Sequence, residues 1–308
     1  MLTIVLLDVV LLIFLLMMSV PLPYCFAGAL AFMSIFGGVS MGSMMLWSFS
    51  QAVSPVLLAS PLFILAGTYM GGSGIASRLL EVADSFIGRI KGGLGLVSIL
   101  TCALMGAISG SGFTGVAATG PIMIPRMVEQ GYPRGYATAV VTVSSVLGLL
   151  IPPSAIMIIY GWVTNTSILA CFISTLVPGL IITALFCIIN MVVTRKFDLV
   201  LDPPEPSPKV WAVKTGKRIW SAIPALLMPI IILGGIYGGV FTPTEAAAVS
   251  AVYAVVVGFL IYRSMTKQDF YKMSVDAATS IGAIMVMIVF TLMLSQTFVM
   301  LQVPQAIV

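Results

Sequence analysis

The sequence predicts an all-α polytopic membrane protein containing a re-entrant hairpin and a broken helix, and three observations predict it. Sixty per cent of the 308 residues are hydrophobic, 8% are charged, and mean hydropathy is +1.16; a soluble domain carries about 25% charged residues. Apolar tracts longer than about 18 residues recur, each able to cross the roughly 30 Å hydrocarbon layer as a helix. No alternating β-barrel pattern accompanies them. The 14 Lys and Arg residues, finally, are confined to a few short stretches.

Those stretches are Arg78 with Arg89 and Lys91, Arg126 with Arg134, Arg195 through Arg218, and Arg263 with Lys267 and Lys272. Basic residues of short loops stay on the cytoplasmic side, so every stretch is placed inside. Residues 1–71 then form scaffold spans, divided at Pro21-Leu22-Pro23 and around Ser40–Gln51 into three. Three spans that end inside put the N-terminus outside. Asp8, the single acid there, is expected to snorkel or to pair with a neighbouring helix. Residues 2–19 lack a basic n-region and a small-residue cleavage site, and are read as a retained span.

Residues 72–91 are read as an interfacial arm. Ile75, Leu79, Val82, Phe86 and Ile90 share one face, and Arg78, Glu81, Ser85 and Arg89 the other. Residues 92–126 follow, in which 34 uncharged residues separate Lys91 from Arg126. One helix of that length would reach about 51 Å and strand one basic flank outside, while two full crossings need about 40 residues. A hairpin that enters and returns to the same face satisfies both limits. Its midpoint falls at Ser109-Gly110-Ser111-Gly112.

Residues 135–194 are uncharged and long enough to cross and return, turning near Asn165-Thr166. Gly148-Leu149-Leu150-Ile151-Pro152-Pro153-Ser154 interrupts the first of these crossings, because two prolines remove consecutive N–H donors. Irregular backbone at membrane depth survives only where it is buried in protein or lines a wet cavity. Two broken elements in successive segments are the pattern of a transporter site.

Residues 195–218 are read as a cytoplasmic connector, with Pro203, Pro204, Pro206 and Pro208, and with Trp211 and nearby Trp220 as interfacial anchors. Residues 219–308 form further spans, one pair turning near Phe241–Glu245 and a last one at about 279–303. Thr242, Pro243 and Glu245 fit the cap, first and third positions of a helix start. Gly234, Gly235, Gly238 and Gly239 make overlapping G-x-x-x-G pairs suited to close helix packing.

The chain contains no histidine. Ser-His and Cys-His dyads and H-E-x-x-H zinc sites are thereby excluded, and no P-loop sequence occurs. Cys25, Cys102, Cys171 and Cys187 are scattered through apolar tracts without metal or redox spacing. The sequence is not that of an enzyme.

Gly106-Ala107-Ile108-Ser109-Gly110-Ser111-Gly112 runs on to Gly120-Pro121-Ile122-Met123-Ile124-Pro125-Arg126-Met127. Gly131-Tyr132, Gly148 through Ser154, Val177-Pro178-Gly179 and Phe241-Thr242-Pro243-Thr244-Glu245-Ala246-Ala247 follow in order. Together they resemble the large membrane subunit of tripartite ATP-independent periplasmic (TRAP) transporters, DctM-type, over essentially the whole chain. The resemblance implies an elevator-type, ion transporter superfamily-like architecture of two inverted repeats. It implies sodium-driven symport of a small organic anion, of C4-dicarboxylate or sugar-acid type, in the bacterial inner membrane with a periplasmic N-terminus.

Carried onto these residues, the resemblance puts sodium at Ser109, Ser111, Gly148 and Ser154, with carbonyls near Gly110 and Gly112 and with Ile151. Thr114, Pro152 and Pro153 complete the implied sodium and substrate site. Na+ is the coupling ion and no organic cofactor is implied. The implied partners are a small membrane subunit, a periplasmic solute-binding protein, the anion and membrane lipid; nucleic acid is not among them. Two alternatives stand beside this reading: a sodium–dicarboxylate carrier of another elevator family, and an inactive truncated subunit. The second rests on repeat counting: the chain begins again at Ile219 and stops at Val308 before a second hairpin, an expected shortfall of roughly one hundred residues.

Overall fold

The computed structural model describes residues 2–201, 207–303 and 305. Pro203, Pro204 and Pro206 of the expected connector lie outside the described residues. Among the described residues all regular structure is helical. The helices are α1 (Leu2–Met17), α2 (Leu22–Phe36), α3 (Met41–Ala52), α4 (Ala59–Gly72), α5 (Ile75–Ile87), α6 (Gly93–Ser109), α7 (Gly112–Glu129), α8 (Arg134–Ser145), α9 (Leu147–Leu150), α10 (Ala155–Val163), α11 (Ile168–Thr194), α12 (Pro208–Tyr237), α13 (Pro243–Val256) and α14 (Lys267–Met300), with a π-helical turn at Val257–Ile261.

Five helical stretches are long and apolar enough to cross a membrane: Arg134–Val163, Ile168–Thr194, Pro208–Tyr237, Pro243–Ile261 and Lys267–Met300. Along α11, Ile173, Val177, Leu180, Ile181 and Ile188 are each more than half exposed. Helices apolar on their outer faces match lipid and not water. The fold is all-α and polytopic.

Two compact units divide the chain, Val56–Ala277 and, separately, Met1–Pro55 with Ala278–Val308. In the larger unit the core gathers Phe63, Met70, Ile75, Leu79, Met105, Ile108, Phe172, Met228 and Ile232. Lipid tails are as apolar as these side chains, so close van der Waals packing holds such helices together rather than escape from water. Small residues permit that closeness: α13 packs on α4 with Ala246, Ala247, Ala251 and Ala254 buried on one helix and Ala59 and Ala66 on the other.

The smaller unit packs Val5, Ala29, Leu30, Met33, Met44, Met293 and Leu294 into its own core. Asp8 there departs from expectation. It is fully buried, and neither carboxylate oxygen has a hydrogen-bond partner among the described residues.

Other expectations are corrected. The expected break around Ser40–Gln51 falls instead at Gly37–Ser40 and again after Ala52, with helix α3 (Met41–Ala52) between them. Its small polar residues sit in the helix because the hydroxyls of Ser48 and Ser50 donate back to the carbonyls of Met45 and Trp47, at 3.2 and 2.6 Å. The long helix α12 begins at Pro208, inside the segment read as connector, with Ser207 as its cap. The buried stripe of α5 is Ile75, Ala76, Leu79 and Leu80, while Phe86 and Ile90 are exposed. Phe86 instead meets the Trp211 ring edge-on at 6.3 Å, and Ile90 lies past the end of the helix.

Among the described residues no helix packs closely on the G-x-x-x-G glycines. Gly234 and Gly239 face open space and Gly235 lies against the Phe241 ring. The carbonyl of Gly235 accepts from the amides of Val240 and Phe241 at 2.9 and 3.0 Å, which ends α12 and reverses the chain. The next helix opens as expected: Thr242 Oγ1 accepts from the Glu245 amide, and Glu245 Oε2 accepts from the Thr242 amide at 2.8 Å. This is a reciprocal capping box.

Candidate functional site

The helices α6 and α7 form a hairpin whose turn is two residues, Gly110 and Ser111. The peptide leaves α6 through Gly110 at φ +62°, with its amide bonded to the Gly106 carbonyl at 2.8 Å. Ser111 is extended, and α7 starts at Gly112. The Ser109 hydroxyl donates to the Met105 carbonyl at 2.9 Å and lies 3.3 Å from the Ser111 amide, which donates to it. A β-carbon on Gly110 would stand 2.6 Å from the Pro153 carbonyl oxygen and 3.1 Å from the Ala155 nitrogen. Both dihedral and space demand glycine here.

The second element is the interruption after α9. A residue before proline is driven to extended conformation, and Ile151 leaves the helix at φ −81°, ψ 120°. The Pro152–Pro153 bond is cis. Ser154 is extended, and α10 restarts at Ala155.

Tip and interruption meet. The Ala155 amide donates to the Gly110 carbonyl across 3.4 Å. Gly148 crosses directly over Gly106, and a β-carbon on Gly148 would stand 2.9 Å from the Ser111 carbonyl oxygen. Gly112 faces the Ser145 carbonyl at the equivalent 3.0 Å. The structure thus brings Ser109, Gly110, Ser111, Gly112, Gly148, Pro153 and Ser154 into one place. Pro152 is buried within the interruption, and Ile151 packs beneath it with Ile99, Ala103, Ala107 and Leu147.

Thr114 does not join them. It lines a cavity of about 750 Å³ with Gly67, Thr68, Asp269, Lys272 and Met273, to which no residue of 148–154 contributes. Sequence reasoning missed Gly67 of α4, which lies flat on Ser109: a β-carbon there would stand 2.6 Å from Ser109 Cβ. No motif marks it; its role is visible only once α4 packs on α6.

The Ser154 side chain is fully buried, and its hydroxyl has no hydrogen-bond partner among the described residues. An unsatisfied buried hydroxyl costs about 1–3 kcal/mol, and this one lies beside irregular backbone. No group of three His, Cys, Asp or Glu side chains assembles among the described residues. The donors at the tip are therefore neutral hydroxyls and carbonyls, hard oxygens that suit a hard cation and not zinc or iron.

The family model for "Tripartite ATP-independent periplasmic transporter, DctM component" matches residues 9–308. A C4-dicarboxylate TRAP transporter large permease protein of Pseudomonas aeruginosa is 37% identical over 281 residues, covering 91% of this chain and 64% of that protein. An ectoine TRAP transporter large permease protein of Halomonas elongata is 35% identical over 296 residues, covering 95% and 68%. A sialic acid TRAP transporter large permease protein of Vibrio cholerae is 37% identical over 233 residues, covering 75% and 53%. The chain thus spans roughly half to two thirds of the length of these relatives. They are components of transporters and not enzymes, and the match sets aside the reading as a carrier of another elevator family. With its long apolar helices the chain is a multi-pass inner-membrane protein, and it belongs to the DctM-component family of tripartite ATP-independent periplasmic transporters.

Proposed function

We propose that the chain forms the membrane path of a sodium-driven TRAP transporter that takes up a small organic anion of C4-dicarboxylate or sugar-acid type. A periplasmic solute-binding protein delivers the anion, and a small membrane subunit completes the complex. In this reading the N-terminus faces the periplasm, which is supported by basic stretches placed inside and an odd number of crossings before Arg78. The observation that carries this reading is the contact of the hairpin tip with the interrupted helix around the unpartnered Ser154 hydroxyl.

Sodium is held there by the hydroxyls of Ser109, Ser111 and Ser154 and by carbonyls that the turn at Gly110 and the interruption at Ile151–Ser154 release from helical bonding. Oxygen dipoles replace the hydration shell of the ion, and the ion neutralises part of the anion's charge beside it. Because one element of the site lies on the hairpin and the other on the interrupted helix, sodium draws the two together. Coupling then follows from differential affinity: the ion favours the arrangement in which both elements are in contact. The pair moves as a body, in the elevator manner.

The test is uptake into proteoliposomes holding the chain with its small membrane subunit and solute-binding protein. An inward sodium gradient should drive accumulation, and replacing sodium by potassium should abolish it. Undiminished uptake without sodium would refute the coupling.

A further inference from the structure

A crevice of about 160 Å³ lies between α8 and α11, lined by Ala139, Val140, Val143, Phe186 and Ile189 together with Ile99 of α6. No residue of the hairpin tip or of the interruption contributes to it. Val143 and Ile189 are 48% and 55% exposed, whereas Ile99 is buried. The crevice therefore opens on the outer face of the helices, where a membrane-spanning chain meets hydrocarbon. At one end the Tyr136 hydroxyl donates to Asn190 Oδ1 at 3.1 Å, and Asn190 Nδ2 donates to the Gly92 carbonyl at 2.8 Å. An apolar cavity stays dry, and one left empty forfeits dispersion contacts along its walls. Hydrocarbon is the filling that suits it.

The end that Tyr136 and Asn190 close also carries basic residues. Arg134 is the first residue of α8, just before Tyr136, and Arg195 follows the end of α11, just after Asn190. Lys91 Nζ donates to the Arg195 carbonyl at 3.1 Å. The Tyr136 ring meets Phe197 edge-on at 5.1 Å. The starts of α6 and α8 and the segment after α11 thus converge there. Lys91, Arg134, Arg195 and Lys196 are all exposed. The acids of the same segments are Glu129 and Asp198, so the rim is net positive. From Tyr136 to Val143 the crevice runs about 10 Å along α8, at 1.5 Å per residue, away from this rim.

We propose that this crevice binds an anionic phospholipid, with one acyl chain between α8 and α11 and the phosphate against Lys91, Arg134 and Arg195. Neither half is selective alone, because a groove accepts any chain and a basic rim accepts any anion. Joined in one line, they favour a charged lipid over a zwitterionic one and over free phosphate. A helix of a partner subunit is about 10 Å across, so it would cover the crevice rather than enter it. Both α8, which leads into the interruption, and α11 border the chain, so the bound lipid ties one to the other. The inference goes beyond the uptake reading and does not depend on sodium.

The test is native mass spectrometry of the chain, purified with its small membrane subunit in neutral detergent and titrated with dioleoylphosphatidylglycerol. Dioleoylphosphatidylcholine and glycerol 3-phosphate serve as controls. The phosphatidylglycerol should bind at least tenfold more tightly than the phosphatidylcholine, and glycerol 3-phosphate should not bind. Arg134→Gln and Arg195→Gln should each weaken it roughly fivefold, about 1 kcal/mol per charge. Ala139→Leu, which fills the crevice and keeps the charges, should weaken it as well. Lys267→Gln, an exposed lysine that starts α14, should leave it unchanged. All four positions are exposed, where substitutions leave the folded yield near that of the wild type. A photo-reactive residue in place of Val143 should cross-link to the phosphatidylglycerol. Equal binding of the two lipids, unchanged binding in Arg134→Gln and Ala139→Leu, an equal loss in Lys267→Gln, or cross-linking of position 143 to the small subunit would each overturn the inference. None of these readouts requires uptake, so a failure of sodium coupling leaves them decisive.

Discussion

The amide of Ala155 bonds the carbonyl of Gly110, joining the first residue of one re-started helix to the turn of a hairpin 45 positions earlier in the chain. A backbone-to-backbone tie between two interrupted elements is what distinguishes a built site from two accidental breaks. It brings the backbone of the turn against that of the interruption, next to the buried Ser154.

Loss of the orphan hydroxyl should be read directly in sodium dependence. Ser154→Ala is expected to raise the sodium half-saturation by roughly tenfold, the effect of losing about 1.4 kcal/mol of ion stabilisation, with the folded yield preserved. An unchanged half-saturation would remove Ser154 from the site.

Gly110→Ala tests the turn. A β-carbon at φ +62° costs about 1–2 kcal/mol in backbone strain, and here it also meets the Pro153 carbonyl. Uptake should fall below detection while the protein still inserts and elutes as a folded species. Wild-type uptake by this variant would show that tip and interruption need not touch.

Gly148→Val separates the same elements from the other side, since the added carbons would press on the Ser111 carbonyl and on Gly106. Transport and sodium-dependent thermal stabilisation should disappear together. Retention of the stabilisation would place the ion elsewhere.

Thr242→Ala removes the helix cap and should cost about 1 kcal/mol, read as a lower thermal midpoint with the sodium half-saturation unchanged. Glu245→Gln should likewise weaken the cap without affecting coupling. If Glu245→Gln abolished uptake at full folded yield, Glu245 would belong to the transport path and not to the cap alone.

What was legible in the sequence is what few residues can encode locally. Pro152 and Pro153 cannot continue a helix, and Lys91 and Arg126 enclose a stretch that suits neither one crossing nor two, so interruption and hairpin turn were both placed from spacing. The box at Thr242 and Glu245 was legible for the same reason, its four residues being contiguous. The ion pairing of Asp84 was not, because its partners Arg126 and Arg218 come from distant segments and its place on α5 looks like that of any polar residue on an amphipathic helix. The face of α5 was misassigned at Phe86 and Ile90 because an apolar stripe predicts burial only if a partner lies opposite; Phe86 found the edge of Trp211 instead. The helix α3 is not legible from its serines and glycines, because its hydroxyls bond their own backbone.

The central claim is that the tip reaches membrane depth on a hairpin that returns to the face it left. Single cysteines at the exposed positions Lys91 and Glu129, in a chain with its four native cysteines replaced, should be labelled by an impermeant maleimide from the cytoplasmic side only. Labelling of the two positions from opposite sides would make α6 and α7 a crossing, and would leave the irregular backbone at Gly110 and Ser111 without the depth that the account assigns it.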